Sequence, residues 1–179
     1  MNKIQIAGKE FELLLDNDNI SKRIRLIGIQ LNVDYENRSP VFIGVLNGSF
    51  LFMADLLREF DGPCEAGFIR VSSYEGTESS GTMKQAFGLP EDLHNRDVII
   101  VEDIVDTGFT LCHILNEVHK QAPASVRVCA LLFKPAALKT EIAELEYVGF
   151  EIANEFVVGY GLDYIGLGRN LKDIYRAKM

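Results

Sequence analysis

The sequence lacks the segments that would place a protein in or across a membrane. No apolar run approaches the roughly 20 residues that a helix needs to cross a bilayer, which excludes a helical membrane span. The first residues do not combine a basic start with a long apolar core, so we expect no signal peptide. Cysteine is scarce: Cys64, Cys112 and Cys129 are widely spaced in apolar surroundings, which predicts reduced thiols in a cytoplasmic protein and no zinc site.

Basic charge is also in short supply. The chain has 18 Lys and Arg against 26 Asp and Glu, a net charge of −8. Because proteins bind nucleic acids largely by neutralising phosphates with basic side chains, this balance argues against DNA or RNA as a partner. The 3 histidines show no metal-ligand spacing, and no strand is followed by the GxGxxG pattern of dinucleotide-binding proteins.

What the sequence does contain is an ordinary globular composition in which strands alternate with helices. Its 179 residues are 47% hydrophobic and 25% charged, which suits one domain with a real core. Short apolar runs rich in β-branched and aromatic residues predict buried strands at 41–46, 66–71, 98–101 and 126–133. Helical spacing occupies 20–35, 50–60 and 111–119. This order predicts an α/β fold with a mainly parallel central sheet flanked by helices.

The last third of the chain breaks the alternation. Short β segments near 147–149, 156–158 and Ile174 lie among glycines, which predicts loops and short strands. We expect a single domain, 1–179, with a core at about 18–140 and a small hood lobe built from the amino-terminal segment and about 145–179. Open α/β sheets bind ligands at the carboxyl ends of their strands, so the site is expected just after residues 46, 71, 101 and 133.

The most specific motif follows the third of these strands, where the chain reads EDIVDTGFT (102–110) and enters a helix. Glu102 and Asp103 are adjacent carboxylates that can accept hydrogen bonds from sugar hydroxyls or hold a hydrated cation. The DTGFT turn offers backbone N–H groups, two hydroxyls and the positive end of a helix dipole, an anion site without a basic side chain. An isolated DTG would be better explained as a βα turn with Asp as a helix cap, but the whole unit favours a binding site.

This stretch, VIIVEDIVDTGFT, resembles the phosphoribosyl-pyrophosphate signature of type I phosphoribosyltransferases, and its Glu-Asp variant is similar to that of the hypoxanthine–guanine phosphoribosyltransferases. Four more segments match in order and spacing over roughly 40–175: VFIGVLNGSFLFMADLLREF, FIRVSSYEGTESSG, LLFKPA and VGFEIANEFVVGYGLDYIGLGRNL. The resemblance implies the type I phosphoribosyltransferase fold. It also implies the magnesium-dependent reaction of a purine base with phosphoribosyl pyrophosphate, giving a nucleoside monophosphate and pyrophosphate.

The resemblance assigns roles to the residues of the central motif. Glu102 and Asp103 would bind the ribose hydroxyls with Mg²⁺ close by, and Asp106 would be the general base for the purine N7 proton. A carboxylate on a rigid turn that faces the reacting carbon can both accept a proton and stabilise positive charge. The residues implied to hold the phosphoribosyl group and its 5′-phosphate are Glu102, Asp103, Asp106, Thr107, Gly108 and Thr110.

Two further segments are implied to handle pyrophosphate and to cover the site. The pyrophosphate-binding residues would be Leu46, Asn47, Gly48 and Arg169, with a cis peptide bond entering Asn47. Family members often have Lys or Arg at this second position, so here backbone amides and magnesium would replace a local cation. The polar stretch that begins with Ser73 and Tyr74 would be a lid that excludes water from the reaction.

The purine pocket is implied to consist of Lys134, Phe156, Val157 and Asp163. Lys134 would donate to the purine 6-oxo group, which selects hypoxanthine or guanine over adenine. Phe156 would stack on the base and Val157 would contact its edge through the backbone. The implied magnesium-binding residues are Glu102, Asp103 and Asp163.

The leading hypothesis is a cytoplasmic purine-salvage enzyme that makes IMP, and GMP from guanine, with purine base and phosphoribosyl pyrophosphate as its partners. We expect no nucleic acid or membrane partner, and a homodimer or homotetramer with helix 50–60 as a candidate dimer surface. A regulator built on the same fold is the main alternative, but it would need a basic surface or an added DNA-binding segment. The balance among hypoxanthine, guanine and xanthine stays open.

Overall fold

The computed structural model describes residues 3–72, 84–90 and 92–178. In chain order the strands are β1 (Lys3–Ile6), β2 (Lys9–Leu15), β3 (Val41–Leu46), β4 (Glu65–Ser72), β5 (Lys84–Phe87), β6 (Asp97–Val105), β7 (Ser125–Phe133), β8 (Leu145–Glu151), β9 (Val157–Val158) and β10 (Ile174–Ala177). The helices are α1 (Asn17–Asp34), α2 (Phe50–Arg58) and α3 (Phe109–His119), with a 3₁₀ turn at Pro135–Ala137.

The main sheet has six strands in the order β5-β4-β3-β6-β7-β8. Five of them are parallel, and only the edge strand β5 is antiparallel to its neighbour β4. This confirms the predicted α/β class. Because parallel strands run in one direction, their carboxyl ends share one edge, and the loops that leave β3, β6 and β7 meet there.

Helices cover both faces of this sheet. Side chains of β3 alternate: Phe42 belongs to the cluster formed with α1 and α2, and Ile43 belongs to the cluster formed with α3. Both side chains are completely buried, which explains why β3 is apolar throughout rather than alternating with polar residues. Helix α1 begins where Asp16 accepts a hydrogen bond from the Asn19 N–H at 2.8 Å, an N-cap.

The hood is a separate antiparallel sheet in the order β1-β2-β10-β9. Its amino-terminal hairpin pairs with the last strand of the chain, since Leu13 of β2 lies opposite Tyr175 of β10. Its small core forms around Phe11, Val158 and Tyr175. This sheet therefore joins the two ends of the sequence.

Two strand assignments from the sequence need correction. Strand β6 extends to Val105, four residues beyond the predicted end at 101, so Glu102 and Asp103 lie within the strand rather than after it. Strand β8, Leu145–Glu151, pairs in parallel with β7, so this segment belongs to the main sheet and not to the hood. Its alternating, partly exposed pattern is that of an edge strand, which the sequence did not distinguish from a hood strand.

Within the described part of the chain, no helix is both long enough and apolar enough to span a bilayer.

Candidate active site

The sheet brings the two central predicted residues, Asp106 and Lys134, into direct contact. Val105 of β6 lies opposite Phe133 of β7 in the parallel register, so the residues that follow them leave the sheet side by side. The Lys134 Nζ donates to the Asp106 Oδ2 at 2.8 Å. The two partners differ in exposure, since the Lys134 side chain is 8% exposed and that of Asp106 is 45% exposed. A buried cation thus holds an accessible carboxylate at the mouth of the site.

A turn with a left-handed residue follows Asp106. Gly108 has φ +86°, and a Cβ there would press on Ile142 and Leu138, each 3.1 Å away, so this turn requires glycine. Helix α3 starts at the next residue, Phe109, whose side chain is 54% exposed. A small cavity of about 90 Å³ lies against this turn. Its lining residues are Glu102, Ile104, Val105, Asp106, Thr107, Gly108, Thr110 and Leu111.

The two adjacent carboxylates of β6 are poorly solvated. Glu102 is 9% exposed, and its buried Oε2 has no hydrogen-bond partner among the described residues. Burial, reinforced by the neighbouring Asp103 charge, raises the pKa of the Glu102 carboxyl well above its ordinary value. Burial also raises the pKa of Asp103 to about 6, although the Ile104 N–H donates to its Oδ1 at 2.9 Å. A bound cation or hydroxyl donors would therefore stabilise the charged forms of both carboxyl groups.

The loop after β3 packs directly on Asp103. The peptide bond between Leu46 and Asn47 is cis, as the resemblance implies. Gly48 lies so close to the Asp103 Oδ2 that a Cβ at this position would overlap the carboxylate. On its other side Gly48 meets Gly161, where a Cβ would overlap the Gly48 carbonyl oxygen. Only glycines allow the three segments to approach this closely.

The segment after β9 places two charged side chains, Asp163 and Arg169, close to Asp103. Arg169 forms an ion pair with Asp163 at 2.5 Å and donates to the Gly161 carbonyl oxygen at 2.7 Å. The Gly166 N–H donates to the other Asp163 oxygen at 2.7 Å. Arg169 also lowers the pKa of Asp103, and Asp163 raises it, so both charges act on the Asp103 carboxylate.

Phe156 and Val157 lie at the junction of the hood and the main sheet. Val157 is buried in β9 at 5% exposure, whereas the Phe156 side chain remains 46% exposed. The ring of Phe156 packs on Phe11 and Tyr164, with centroids 6.4 Å and 5.7 Å away. The Lys9 Nζ lies 5.5 Å from the centroid of the Phe156 ring.

The described residues contain no ready-made metal cluster: no three of their His, Cys, Asp and Glu side chains could hold an ion by themselves. The carboxylates of Glu102, Asp103 and Asp163 are the kind of ligand that a hard cation such as Mg²⁺ prefers, and the buried Glu102 Oε2 has no hydrogen-bond partner among the described residues. Mg²⁺ is commonly bound by one or two carboxylates together with substrate phosphates, and that donor set fits these residues.

Most of the predicted site residues converge on this edge of the main sheet. Asp106 and Lys134 pair, Gly48 packs on Asp103, and the Asp163–Arg169 pair acts on Asp103. Ser73 and Tyr74 lie outside the described residues. The sequence analysis missed Lys9 and Gly161, because a lysine in a hairpin and a glycine in a loop carry no motif of their own.

The chain matches the model of the phosphoribosyl transferase domain over residues 11–165. A bifunctional TilS/HprT protein of Listeria monocytogenes is 44% identical over 161 residues, which are 89% of this chain and 25% of that protein. The chain thus spans a quarter of the length of that relative. The hypoxanthine-guanine phosphoribosyltransferase of Aquifex aeolicus is 38% identical over 173 residues, 96% of this chain and 97% of that protein.

A solved structure of a hypoxanthine phosphoribosyltransferase is also similar to this chain. The hypoxanthine phosphoribosyltransferase of Staphylococcus aureus superposes with a TM-score of 0.84 and 40% identity, covering 93% of this chain and 91% of that chain. Fold, motif order and sequence identity agree over nearly the whole length. The chain therefore belongs to the phosphoribosyltransferase family, on the hypoxanthine(-guanine) phosphoribosyltransferase branch that its sequence resembles.

Proposed function

We propose that this protein transfers the phosphoribosyl group of phosphoribosyl pyrophosphate to a 6-oxopurine, hypoxanthine or guanine, releasing pyrophosphate. The observation that carries the proposal is the Asp106–Lys134 pair, 2.8 Å apart at the carboxyl ends of β6 and β7. It presents a hydrogen-bond acceptor directly beside a donor, on the turn that leads into the anion-binding helix α3.

This pair complements one edge of a 6-oxopurine. The 6-oxo group and N7 are neighbours on that edge of the ring. In a free base protonated at N7, the N7–H is a donor and the 6-oxo group is an acceptor. Asp106 would accept from N7 and Lys134 would donate to the oxygen, whereas the 6-amino group of adenine would meet Lys134 as a second donor. The geometry thus favours oxopurines over aminopurines.

Asp106 would also act as the general base. As the ribose carbon bonds to N9 the purine becomes more acidic at N7, and Asp106 takes up that proton. Its 45% exposure leaves the carboxylate accessible to the base, while the buried Lys134 fixes its position. A fixed negative charge beside the reacting carbon also stabilises the positive charge that develops on the ribose.

The 5′-phosphate would bind at the turn after Asp106. Thr107, Gly108 and Thr110 line the cavity there, and helix α3 begins at Phe109 with its backbone N–H groups turned toward it. The exposed Phe109 side chain supplies no charge, so the phosphate is held by amides, hydroxyls and the helix dipole. This explains how a chain of net charge −8 binds a phosphate ester.

Pyrophosphate would lie between the loop after β3 and the segment after β9. The backbone of Leu46, Asn47 and Gly48 would border this space, and Arg169 is close enough to Asp103 to lower the pKa of that carboxyl. When bound, Mg²⁺ would neutralise pyrophosphate and so make it a better leaving group. Glu102, Asp103 and Asp163 would hold that ion together with the ribose hydroxyls. Ser73 and Tyr74 would belong to a lid that excludes water from the reaction.

Phe156 and Val157 would complete the purine pocket. The half-exposed Phe156 ring offers a flat apolar surface for stacking, and the buried Val157 fixes the backbone that contacts the base edge. We place this enzyme in the cytoplasm, where purine salvage takes place, as a homodimer or homotetramer. Light scattering coupled to size-exclusion chromatography measures that assembly directly.

The test is a spectrophotometric assay of hypoxanthine, guanine, xanthine and adenine, each with phosphoribosyl pyrophosphate and with or without Mg²⁺. We expect rapid turnover of hypoxanthine and guanine that depends on Mg²⁺, and much slower turnover of adenine. D106N should lower kcat by orders of magnitude and still bind phosphoribosyl pyrophosphate. The control D18N changes an exposed carboxylate in the first turn of α1 and should behave as wild type. Inactivity of the wild type toward every 6-oxopurine would contradict the proposal.

A further inference from the structure

A cation from the amino-terminal hairpin lies on the aromatic ring that the proposed function assigns to the purine. The Lys9 Nζ is 5.5 Å from the centroid of Phe156 and 5.6 Å from that of Tyr164. The two rings meet edge to face at 75° with centroids 5.7 Å apart. The ammonium group therefore lies at nearly equal distance from two rings, within the range of a cation–π interaction.

The acidic residues next to Lys9 and Phe156 in the sequence form ion pairs with other residues. Among the described residues Lys9 forms no ion pair, whereas Glu155, next to Phe156, pairs with Arg176 at 3.5 Å. Glu10, next to Lys9, pairs with Lys178 at 3.4 Å. Glu155 and Glu10 thus have other cationic partners, and the contacts of the Lys9 ammonium group are with the two aromatic rings.

Hood residues hold the Phe156 ring in place. Phe11, which is completely buried in the hood core, packs on Phe156 at 6.4 Å and on Tyr164 at 5.7 Å. Lys9 covers a face of the Phe156 ring, and nearly half of the side chain stays exposed. A ring with one face taken by an ammonium group can stack a planar base only on the other face.

We infer that Lys9 is a positioning residue for the purine base: it closes the hood-side face of Phe156 and so fixes which face stacks the substrate. The inference rests on the proposed function, because it concerns the same purine pocket. Lys9 does not touch the reacting atoms in this scheme. It acts through Phe156, and its loss should weaken purine binding without affecting the chemical step.

The experiment compares wild type, K9M, K9R and the control K3M, which changes an exposed lysine of the same hairpin. We expect K9M to raise KM for hypoxanthine about fivefold, in line with the strength of exposed cation–π pairs, with kcat and KM for phosphoribosyl pyrophosphate unchanged. K9R should restore KM, since a guanidinium also stacks on rings, and K3M should match wild type.

A double-mutant cycle separates positioning from general stability. In an F156L background K9M should have no further effect on KM, because the ring through which Lys9 acts is gone. Wild-type KM in K9M, or an equal effect of K9M with and without Phe156, overturns the inference while leaving the proposed function intact. An inactive wild type overturns both, so the two failures are distinguishable.

Discussion

Replacing Lys134 with methionine tests the proposed purine selectivity most directly. Methionine keeps the unbranched shape of the lysine stem and removes only the charge that holds Asp106 at 2.8 Å. The Lys134 side chain is 8% exposed, so its hydrogen bond to the purine 6-oxo group would form largely out of water. Hydrogen bonds to charged groups contribute about 1.5–3 kcal/mol.

That range converts to a loss of about 10- to 150-fold in kcat/KM for hypoxanthine, since each 1.4 kcal/mol is about tenfold. Adenine lacks the 6-oxo acceptor and would lose only the positioning of Asp106, so its kcat/KM should fall less than that of hypoxanthine. The ratio of hypoxanthine to adenine kcat/KM should therefore shrink. The fold should survive: Asp106 is 45% exposed, so solvent screens its unpaired charge and the cost in stability is below about 1 kcal/mol.

The assay is steady-state kinetics with both bases, accompanied by thermal unfolding. The control is K120M, which removes a 68% exposed lysine paired with Glu117 at the far end of α3 and should leave both rates unchanged. A K134M protein that folds normally and retains its hypoxanthine kcat/KM within threefold would refute the assignment of Lys134 to the purine.

Two further predictions concern the carboxylates of β6. G48A should fold but bind phosphoribosyl pyrophosphate at least tenfold more weakly, because a Cβ there overlaps the Asp103 carboxylate. Calorimetric titration measures this affinity, and unchanged affinity in G48A would contradict the prediction. The control is G67A, whose added Cβ comes no closer than 3.8 Å to its nearest neighbour, Pro90. The pKa of Asp103 is about 6 against an ordinary 3.8, so the folded chain binds this proton more tightly than the unfolded chain, and stability falls as pH rises from 3.8 through about 6. D103N should therefore raise the free energy of unfolding by up to about 3 kcal/mol at pH 7 and leave it unchanged at pH 3.5. Urea titrations at both pH values measure this free energy, and an equal effect of D103N at the two pH values would refute the prediction.

Much of the fold could be predicted because it depends on local patterns. The spacing of Ile24, Ile27, Leu31 and Tyr35 predicts one buried helical face. All four are buried, the first three within α1 and Tyr35 at its C-cap. The continuous apolar run 41–46 predicts a strand covered on both sides, and β3 has those bounds. Where the pattern is ambiguous, prediction was less accurate: the partly exposed β8 has no periodicity that shows which sheet it joins.

The candidate site could likewise be predicted only where it depends on a local motif. The EDIVDTGFT motif is contiguous, so its strand, turn and helix follow from the sequence. In the structure Glu102, Asp106 and Gly108 line one cavity. Lys9 could not be predicted as part of the site. It lies 147 residues before Phe156 in the sequence, and only the pairing of β2 with β10 brings the hairpin beside that ring.

The sequence by itself determined the α/β class and the amide-rich turn that we propose as the phosphate site, because strand patterns and a turn before a helix are local properties. Only the tertiary structure decided which groups face each other. The parallel register of β6 and β7 placed Asp106 beside Lys134, and the hood placed Lys9 on Phe156. Such pairings depend on strand order and register. These join residues that are far apart in the sequence, and they are fixed by the packing of the whole chain rather than by any one segment.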